Sequence, residues 1–280
     1  MPRRVCLSVP AADPRRTAKA GALGADEVVF DLEDSVPPEE KARGREFVRS
    51  LAWERTGANA AVRVNAVGTP WCHEDIIACA ENPLLHSIVL PKAESAHDLA
   101  FVERLLAGAE AASGRPEPLR VQALIETAKG LSCVEEIAAA SPRLDALVLG
   151  YADLAASLGR AQSASWESVR DRVVTAARTH DLEAIDGPHL GIADDEDFRA
   201  HLRTARAVGF DGTWVIHPCQ VPAAREAFTP SEAELSHARR VLDSLAEASA
   251  RGVGAVVLDG QMLDEALAVN ARRVLKRAGL

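Results

Sequence analysis

The chain has 280 residues, 48% hydrophobic and 26% charged, values that exclude a disordered or low-complexity protein. Its 41 acidic residues outnumber 32 basic ones and leave a net charge of −9. That sign argues against general binding to nucleic acid or to an anionic membrane surface, since both need clustered Lys and Arg. A local basic pocket for one small anion is still compatible with it.

Five scattered cysteines (Cys6, Cys72, Cys79, Cys133, Cys219) make no C-x-x-C pair, so neither a zinc knuckle nor a dithiol motif is indicated. Reduced thiols in a cytoplasmic globular protein are the expectation. The apolar run near the start is too short for a signal peptide, and no window approaches the roughly 18 apolar residues of a membrane span.

In chain order, short β-branched or apolar runs fall at 5–9, 27–32, 61–65, 87–90, 120–125, 146–149, 183–185 and 213–216. Several are apolar throughout rather than alternating, as parallel strands covered on both faces are. Segments of helical period lie between them, 96–112 and 166–180 being the plainest. Eight such repeats predict a (β/α)8 TIM barrel, for which roughly 250 residues is typical. The first and seventh strands read as the weakest, being short and flanked by polar residues.

After Phe228 the pattern changes. A helix opens at Thr229 or at Ser231, the latter with Glu234 closing a capping box, and runs to about Ala250. Gly252 and Gly254 break it, 255–258 reads as one more strand and 262–278 as a final helix. The division is therefore a catalytic barrel at 1–228 and a C-terminal helical extension at 229–280, suited to packing on a neighbouring subunit.

Nearly every strand-like run ends in polar or special residues: Asp31, Glu33 and Asp34; Arg63 and Asn65; Pro91 and Lys92; Glu126 and Thr127; Gly150 leading to Asp153; Asp186 and Gly187; His217 and Pro218. In a parallel barrel these ends converge on one face, where barrel enzymes place their chemistry. The opposite turns, such as 57–59 and 209–212, are bland. One loaded face and one bland face indicate an enzyme.

Glu126 and Asp153 lie 27 residues apart, about one β/α unit, and hard oxygen donors on adjacent strands suit Mg²⁺ or Mn²⁺. Either acid can instead be a cap or a salt-bridge partner. Arg63 is placed to clamp a carboxylate, or to pair with Asp31, Glu33 or Asp34. Those acids, with Lys92, read as groups that orient the inner residues. His217 is either a general base or a packed core histidine. No glycine-rich phosphate loop, P-loop or G-x-S-x-G motif occurs.

The ordered set Arg4…Val9-Pro10, Asp31-Leu32-Glu33-Asp34-Ser35-Val36…Lys41…Arg43, Val62-Arg63-Val64-Asn65, Leu90-Pro91-Lys92, Leu124-Ile125-Glu126-Thr127, Gly150-Tyr151-Ala152-Asp153-Leu154 and Ile216-His217-Pro218-x-Gln220 resembles the citrate lyase β-subunit-like family of the HpcH/HpaI aldolase superfamily. The tail, Phe228-x-Pro230-Ser231 and Leu258-Asp259-Gly260-Gln261-Met262-Leu263-Asp264, is similar to the same family's end. The resemblance implies a Mg²⁺-dependent carbon–carbon lyase acting on 3-hydroxyacyl-CoA thioesters such as citramalyl-, malyl- or citryl-CoA, with acetyl-CoA and a 2-keto acid as products. It implies Glu126 and Asp153 as metal ligands, Arg63 on the keto-acid carboxylate, and amides of Ala152, Asp153 and Leu154 on the same substrate. It also implies Asp264 as the proton-transfer group, reaching over from a neighbouring subunit of a homotrimer or hexamer. Where the family pattern has proline two residues after that aspartate, this chain has Ala266 after Glu265; Asp264 can alternatively cap the final helix.

Two further readings stand beside this one: an aldolase acting on free hydroxy-keto acids, and a citrate lyase β subunit acting on an acyl-carrier-protein thioester. Arg15, Arg16 and Lys19 fit CoA phosphates or a solvated helix face equally well. The acyl group leaves no motif, because one methyl in a pocket is worth only about 1–3 kcal/mol of discrimination.

Overall fold

The computed structural model describes residues 2–11, 13–53, 57–161, 163–252 and 255–280. Eight strands, β1 (Val5–Pro10), β2 (Glu27–Asp31), β3 (Asn59–Arg63), β4 (Ser87–Leu90), β5 (Arg120–Ile125), β6 (Leu144–Leu149), β7 (Glu183–Asp186) and β8 (Gly212–Val215), run parallel in sequence order. The ladder closes where Val5, Cys6 and Leu7 of β1 pair with Thr213, Trp214 and Val215 of β8. Helices α1 (Pro14–Ala20), α2 (Lys41–Ser50), α3 (Cys72–Glu81), α4 (Ala96–Ser113), the short α5 (Ala128–Ser132) and α6 (Val134–Ala138), α7 (Tyr151–Leu158), α8 (Glu167–Thr179), α9 (Glu196–Val208) and α10 (Val221–Phe228) fill the connections. This is the TIM barrel that the eightfold repeat predicts.

Side chains alternate in direction along a strand, and that period of two sorts the barrel into two cores. Cys6, Val29, Ala61, Val89, Leu124, Ala146, Val148, Ile185 and Trp214 fill the interior. Their neighbours, among them Leu7, Val28, Phe30, Val62, Ile88, Ala123, Ile125 and Leu149, face the helices. Counting on from the interior set, Asp31, Arg63, Glu126 and Gly150 take inward positions at the strands' C-terminal ends, whereas Asp186 takes an outward one.

The N-terminal end of the barrel is sealed by charge. Arg3, 4% exposed, donates from Nε to Glu27 (3.0 Å), from NH1 to Glu183 (2.5 Å) and from NH2 to Asp145 (2.6 Å). The other oxygen of Glu27 accepts from Gln122 Nε2 at 2.7 Å, and the same amide reaches Ser87 Oγ at 3.0 Å. Arg4 is held by Asp26 in the same way, its NH2 lying 2.9 Å from Oδ1. The polar residues flanking β1, which make it look weak in sequence, are thus its anchors: β1 is six residues long and bonded on both sides. Strand β7, with four residues, is also fully laddered.

Several strand boundaries shift by one or two residues, and three shifts, of β3 and of the last two helices, have a plain local cause. Strand β3 lies at Asn59–Arg63 rather than 61–65, because Asn65 turns away and donates its N–H to Asp75 Oδ2 at 2.9 Å. Ser231, with Glu234 reciprocating, caps α11 (Glu232–Ala250), so Thr229 is not the cap. The final helix α12 begins at Glu265 and ends at Arg277, because β10 (Gln261–Leu263) pairs antiparallel with β9 (Val256–Leu258) before Asp264 caps it. Gly252 follows α11 as expected; Gly254 lies outside the described residues.

Helices α11 and α12 pack on one another through a small apolar cluster, Ala238, Val241 and Ala271 with Leu263 of β10. Arg277 at the end of α12 reaches the barrel, donating to the carbonyl of Phe210 at 3.0 Å.

Removing one member of a buried ion cluster leaves the remaining charges uncompensated, a loss of about 3–5 kcal/mol. Arg3→Met should therefore lower unfolding free energy by about that much in a urea titration followed by far-UV circular dichroism. A loss within about 0.5 kcal/mol would show that the seal carries no stability.

Candidate active site

The first feature at the mouth is a fork between strand neighbours. Asp31 and Arg63 are register partners on β2 and β3, and both point inward. Arg63 Nε and NH2 lie 2.7 and 2.8 Å from the two oxygens of Asp31, a bidentate pair. The remaining nitrogen, NH1, stands 3.0 Å from Glu33 Oε2 and 3.6 Å from Asp34 Oδ2. Burial works against charge on Asp31, but Arg63 together with the Ser35 and Glu33 N–H groups holds its carboxyl below the usual range. Burial likewise opposes the Arg63 guanidinium, and Asp31 and Glu33 overcome it, so Arg63 stays charged.

Glu33 passes the network on. Its Oε1 accepts from Lys92 Nζ at 2.6 Å, and the same ammonium stands 3.7 Å from Asp153 Oδ1. Lys92 sits at φ 48, a left-handed conformation rare outside glycine, which aims its N–H back at Glu126 Oε1 over 2.9 Å. Strain at a non-glycine residue in this position persists only because both ends of the lysine are tied down.

Glu126 is the residue most out of balance. It is 2% exposed, and burial first, then the like charges of Glu33 and Asp153, push its carboxyl up to about 8 against the pull of Lys92 and Arg63. Its carboxylate lies over Gly150: a Cβ built there would sit 2.6 Å from Glu126 Oε2 and 2.7 Å from Glu126 Cβ. Glycine at this inward position makes the room that the glutamate occupies. Gly150 then caps α7, whose third residue is Asp153.

Two oxygen donors from β5 and α7, held in a surplus of negative charge, fit a divalent cation better than any neutral arrangement. Among the described residues no three His, Cys, Asp or Glu side chains converge on one metal. Magnesium matches such a set, since it keeps several positions for water and substrate. Glu126 and Asp153 would hold it, and a cation there would offset the burial and like-charge repulsion that raise the Glu126 carboxyl.

The sequence-marked residues divide into three groups. Asp31, Glu33, Arg63, Lys92, Glu126 and Asp153 form one continuous charged cluster, and Asp34 touches its rim. Ala152 and Asp153 lie in the first turn of α7, where N–H groups lack intrahelical acceptors, but the Leu154 N–H is already committed to Gly150 O at 3.3 Å. Leu154 therefore has no amide to offer a substrate. Asp264 stands outside the cluster: it caps α12, accepting from Leu267 N at 3.3 Å on an exposed surface. His217 likewise acts locally, its ring accepting from Cys219 N at 3.3 Å to cap a 3₁₀ turn.

Sequence reasoning gave no role to Lys41 and Asp75. Lys41 Nζ is buried and donates to the carbonyls of Leu32 and Glu33 (2.6 Å each) and to Asn65 Oδ1 (2.7 Å). Asn65 Nδ2 in turn donates to Asp75 Oδ2 at 2.6 Å. This clamp fixes the loop that presents Glu33. A charged residue on a helix carries no periodicity signal distinguishing it from a solvated one, so only folding exposes the role.

An eightfold parallel barrel with an acid pair and a paired arginine at its C-terminal mouth defines a barrel enzyme of the metal-dependent type. Residues 4–218 match the family described as HpcH/HpaI aldolase/citrate lyase, and the chain belongs to that family. It is 38% identical over 303 aligned positions to an L-malyl-CoA/beta-methylmalyl-CoA lyase of Cereibacter sphaeroides (strain ATCC 17029 / ATH 2.4.9), covering 99% of this chain and 95% of that protein. It is 35% identical over 282 positions to a (3S)-malyl-CoA thioesterase of Cereibacter sphaeroides (strain ATCC 17023), with the same coverage of 99% and 95%. Among solved structures, the protein CitE from Mycobacterium tuberculosis in complex with magnesium, acetoacetate and coenzyme A superposes with a TM-score of 0.77 at 36% identity, covering 99% of this chain and 98% of that one.

Gly150→Ala tests the packing at the centre of the site. The added methyl must displace Glu126, so Mg²⁺ affinity measured by titration calorimetry should fall about 10- to 100-fold. Unchanged affinity would show that Glu126 does not depend on the space above Gly150.

Proposed function

We propose that this chain is a Mg²⁺-dependent carbon–carbon lyase that cleaves a 3-hydroxyacyl-CoA thioester of the malyl-CoA class to acetyl-CoA and a 2-keto acid. The observation that carries the reading is the convergence of Glu126, Asp153 and Arg63 at one barrel mouth, in a chain similar along its length to malyl-CoA lyases and to a CitE bound to magnesium and coenzyme A.

Glu126 and Asp153 would hold Mg²⁺, which would supply Lewis-acid polarisation of the substrate oxygen, an effect worth several kcal/mol. Arg63 receives the adjacent carboxylate with the N–H groups that Asp31 and Glu33 leave unused, and its fork with Asp31 keeps it from swinging. The N–H groups of Ala152 and Asp153, at the positive end of α7, hydrogen-bond the same carboxylate. Lys92 neutralises Glu33 beside the site. As the carbon–carbon bond breaks, its electron pair passes to the carbon next to the thioester and the hydroxyl proton is lost to solvent; Asp264 of a neighbouring subunit, in its acid form, gives its proton to that carbon and regains one from solvent, and in condensation its carboxylate removes that proton.

This assignment requires an oligomer, a homotrimer or hexamer by the family resemblance, with residues 229–280 as the segment that meets the next subunit. Supporting it, Val257 and Met262 are 68% and 70% exposed on the hairpin that leads into Asp264, an apolar surface left open to a partner. The five free thiols suit a reducing cytoplasm, and no helix among the described residues is long and apolar enough to cross a membrane.

Hydrolysis of the thioester is the second reading. The comparison with the thioesterase runs over 282 positions and that with the lyase over 303, so the chain is nearer the thioesterase in length. One experiment separates them: malyl-, citramalyl- and citryl-CoA are each incubated with Mg²⁺ or with excess EDTA, and acetyl-CoA and free CoA thiol are quantified. Metal-dependent acetyl-CoA with a stoichiometric keto acid establishes the lyase and names its substrate. Free CoA without acetyl-CoA establishes hydrolysis, and neither product across the panel overturns both. Asp264→Asn should reduce turnover by about 10²- to 10⁴-fold while Mg²⁺ and keto-acid binding stay within twofold of wild type. Turnover near wild type would remove Asp264 from the reaction.

A further inference from the structure

The two carboxylates of the acid pair are held in different ways. Glu126 is gripped directly, by the Lys92 N–H and by its fit over Gly150. Asp153 is not: among the described residues its carboxylate accepts no hydrogen bond, and its nearest cation, Lys92 Nζ, stands 3.7 Å away. Its placement therefore depends on the backbone of the first turn of α7. What pins that turn lies outside the barrel, at Tyr151, the first residue of the helix.

Tyr151 is buried, and its hydroxyl donates to Asp186 Oδ1 at 2.5 Å while accepting from Arg170 Nε at 2.6 Å. Asp186, at the end of β7, is fully buried and faces the helix layer rather than the barrel interior. Its second oxygen has Arg170 NH2 at 3.4 Å and His201 Nε2 at 3.0 Å. Arg170 NH2 lies 3.1 Å from His201 Nδ1, and because a guanidinium only donates, that ring nitrogen accepts, while Nε2 is buried beside Asp186 without a hydrogen bond to it. Side chains from α8 and β7 thus bond the Tyr151 hydroxyl of α7, and His201 of α9 packs beside both.

The tyrosine ring is fixed as firmly as its hydroxyl. Trp166 and His201 meet it edge-on at 5.2 and 5.8 Å between centroids. A Cβ at Gly187 would stand 2.8 Å from Tyr151 Cδ2 and 2.2 Å from the Leu149 carbonyl, so glycine lets the ring lie against β7.

We propose that Tyr151 is a positioning residue for the metal site: anchored to Asp186 and Arg170, it sets the first turn of α7 and thereby aims Asp153, together with the Ala152 and Asp153 N–H groups, at the barrel mouth. The inference rests on the proposed function in taking Asp153 as a ligand. It assigns a role to the outward-facing Asp186 and to Arg170, the partners of the Tyr151 hydroxyl.

The test uses Mn²⁺ as a spectroscopic stand-in for Mg²⁺, with free Mn²⁺ measured by electron paramagnetic resonance. Tyr151→Phe keeps the ring and its packing but loses the hydroxyl. It should bind Mn²⁺ about 10- to 100-fold more weakly than wild type and raise KM for the keto acid with little change in kcat. Asp186→Asn, which keeps a hydrogen-bond acceptor for the tyrosine, should lie between the two. Phe210→Leu, a cavity at the opposite end of the barrel, serves as a variant that loses stability without touching this network, and it should bind Mn²⁺ like wild type. Wild-type Mn²⁺ affinity in Tyr151→Phe overturns the proposal. So does a loss in Phe210→Leu as large as that in Tyr151→Phe, because weakened binding would then report stability alone. Wild-type protein that binds no Mn²⁺ overturns the metal reading itself, and this inference with it.

Discussion

The mouth of this barrel depends on one guanidinium. Arg63 spans Asp31 and Glu33 and so ties the end of β2 to the end of β3. Glu33 then engages Lys92, and Lys92 engages Glu126 through its backbone. Every group at the site is connected to that pair within a few steps. A charge taken out of water must be matched locally, and a row of carboxylates at one end of a barrel is tolerable only if cations are threaded between them.

The same physics closes the other end, with a different outcome. There Arg3 meets Glu27, Asp145 and Glu183 in a sealed cluster with Gln122 and Ser87. At the mouth the balance is left incomplete: Glu126 is buried among like charges and its carboxyl is raised to about 8. The cluster at Arg3 has its charges matched by partners, whereas Glu126 is left with like-charged neighbours. The distinction between the stable and the reactive face of the barrel comes down to that difference in pairing.

Part of this organisation was legible before folding. The eight apolar runs marked the eight strands with their boundaries displaced by at most two residues, because strands buried on both faces have little choice of composition. The polar strand ends also marked the loaded face. Asp31, Arg63, Glu126 and Asp153 were legible as site candidates for that reason. Asp186 was equally prominent and equally placed, yet the period of two along β7 turns it outward to Tyr151 and Arg170. A strand read one residue out of phase changes the face of every side chain, and the short β7 gives few residues with which to set that phase.

What the sequence by itself determined is the barrel, its loaded end and the residue types gathered there, since these follow from hydrophobic period and from parallel strands sharing a direction. The tertiary structure decided which of those residues touch. Lys41 reaching Asn65, Gly150 yielding its side-chain volume to Glu126, and the Tyr151 hydroxyl bonding Asp186 are contacts between separate β/α units. Local patterning is silent on such pairs, because a side chain's partner across the barrel is set by strand register and closure rather than by its neighbours in the chain. The same reason kept Asp264 ambiguous: within one chain it is a helix cap.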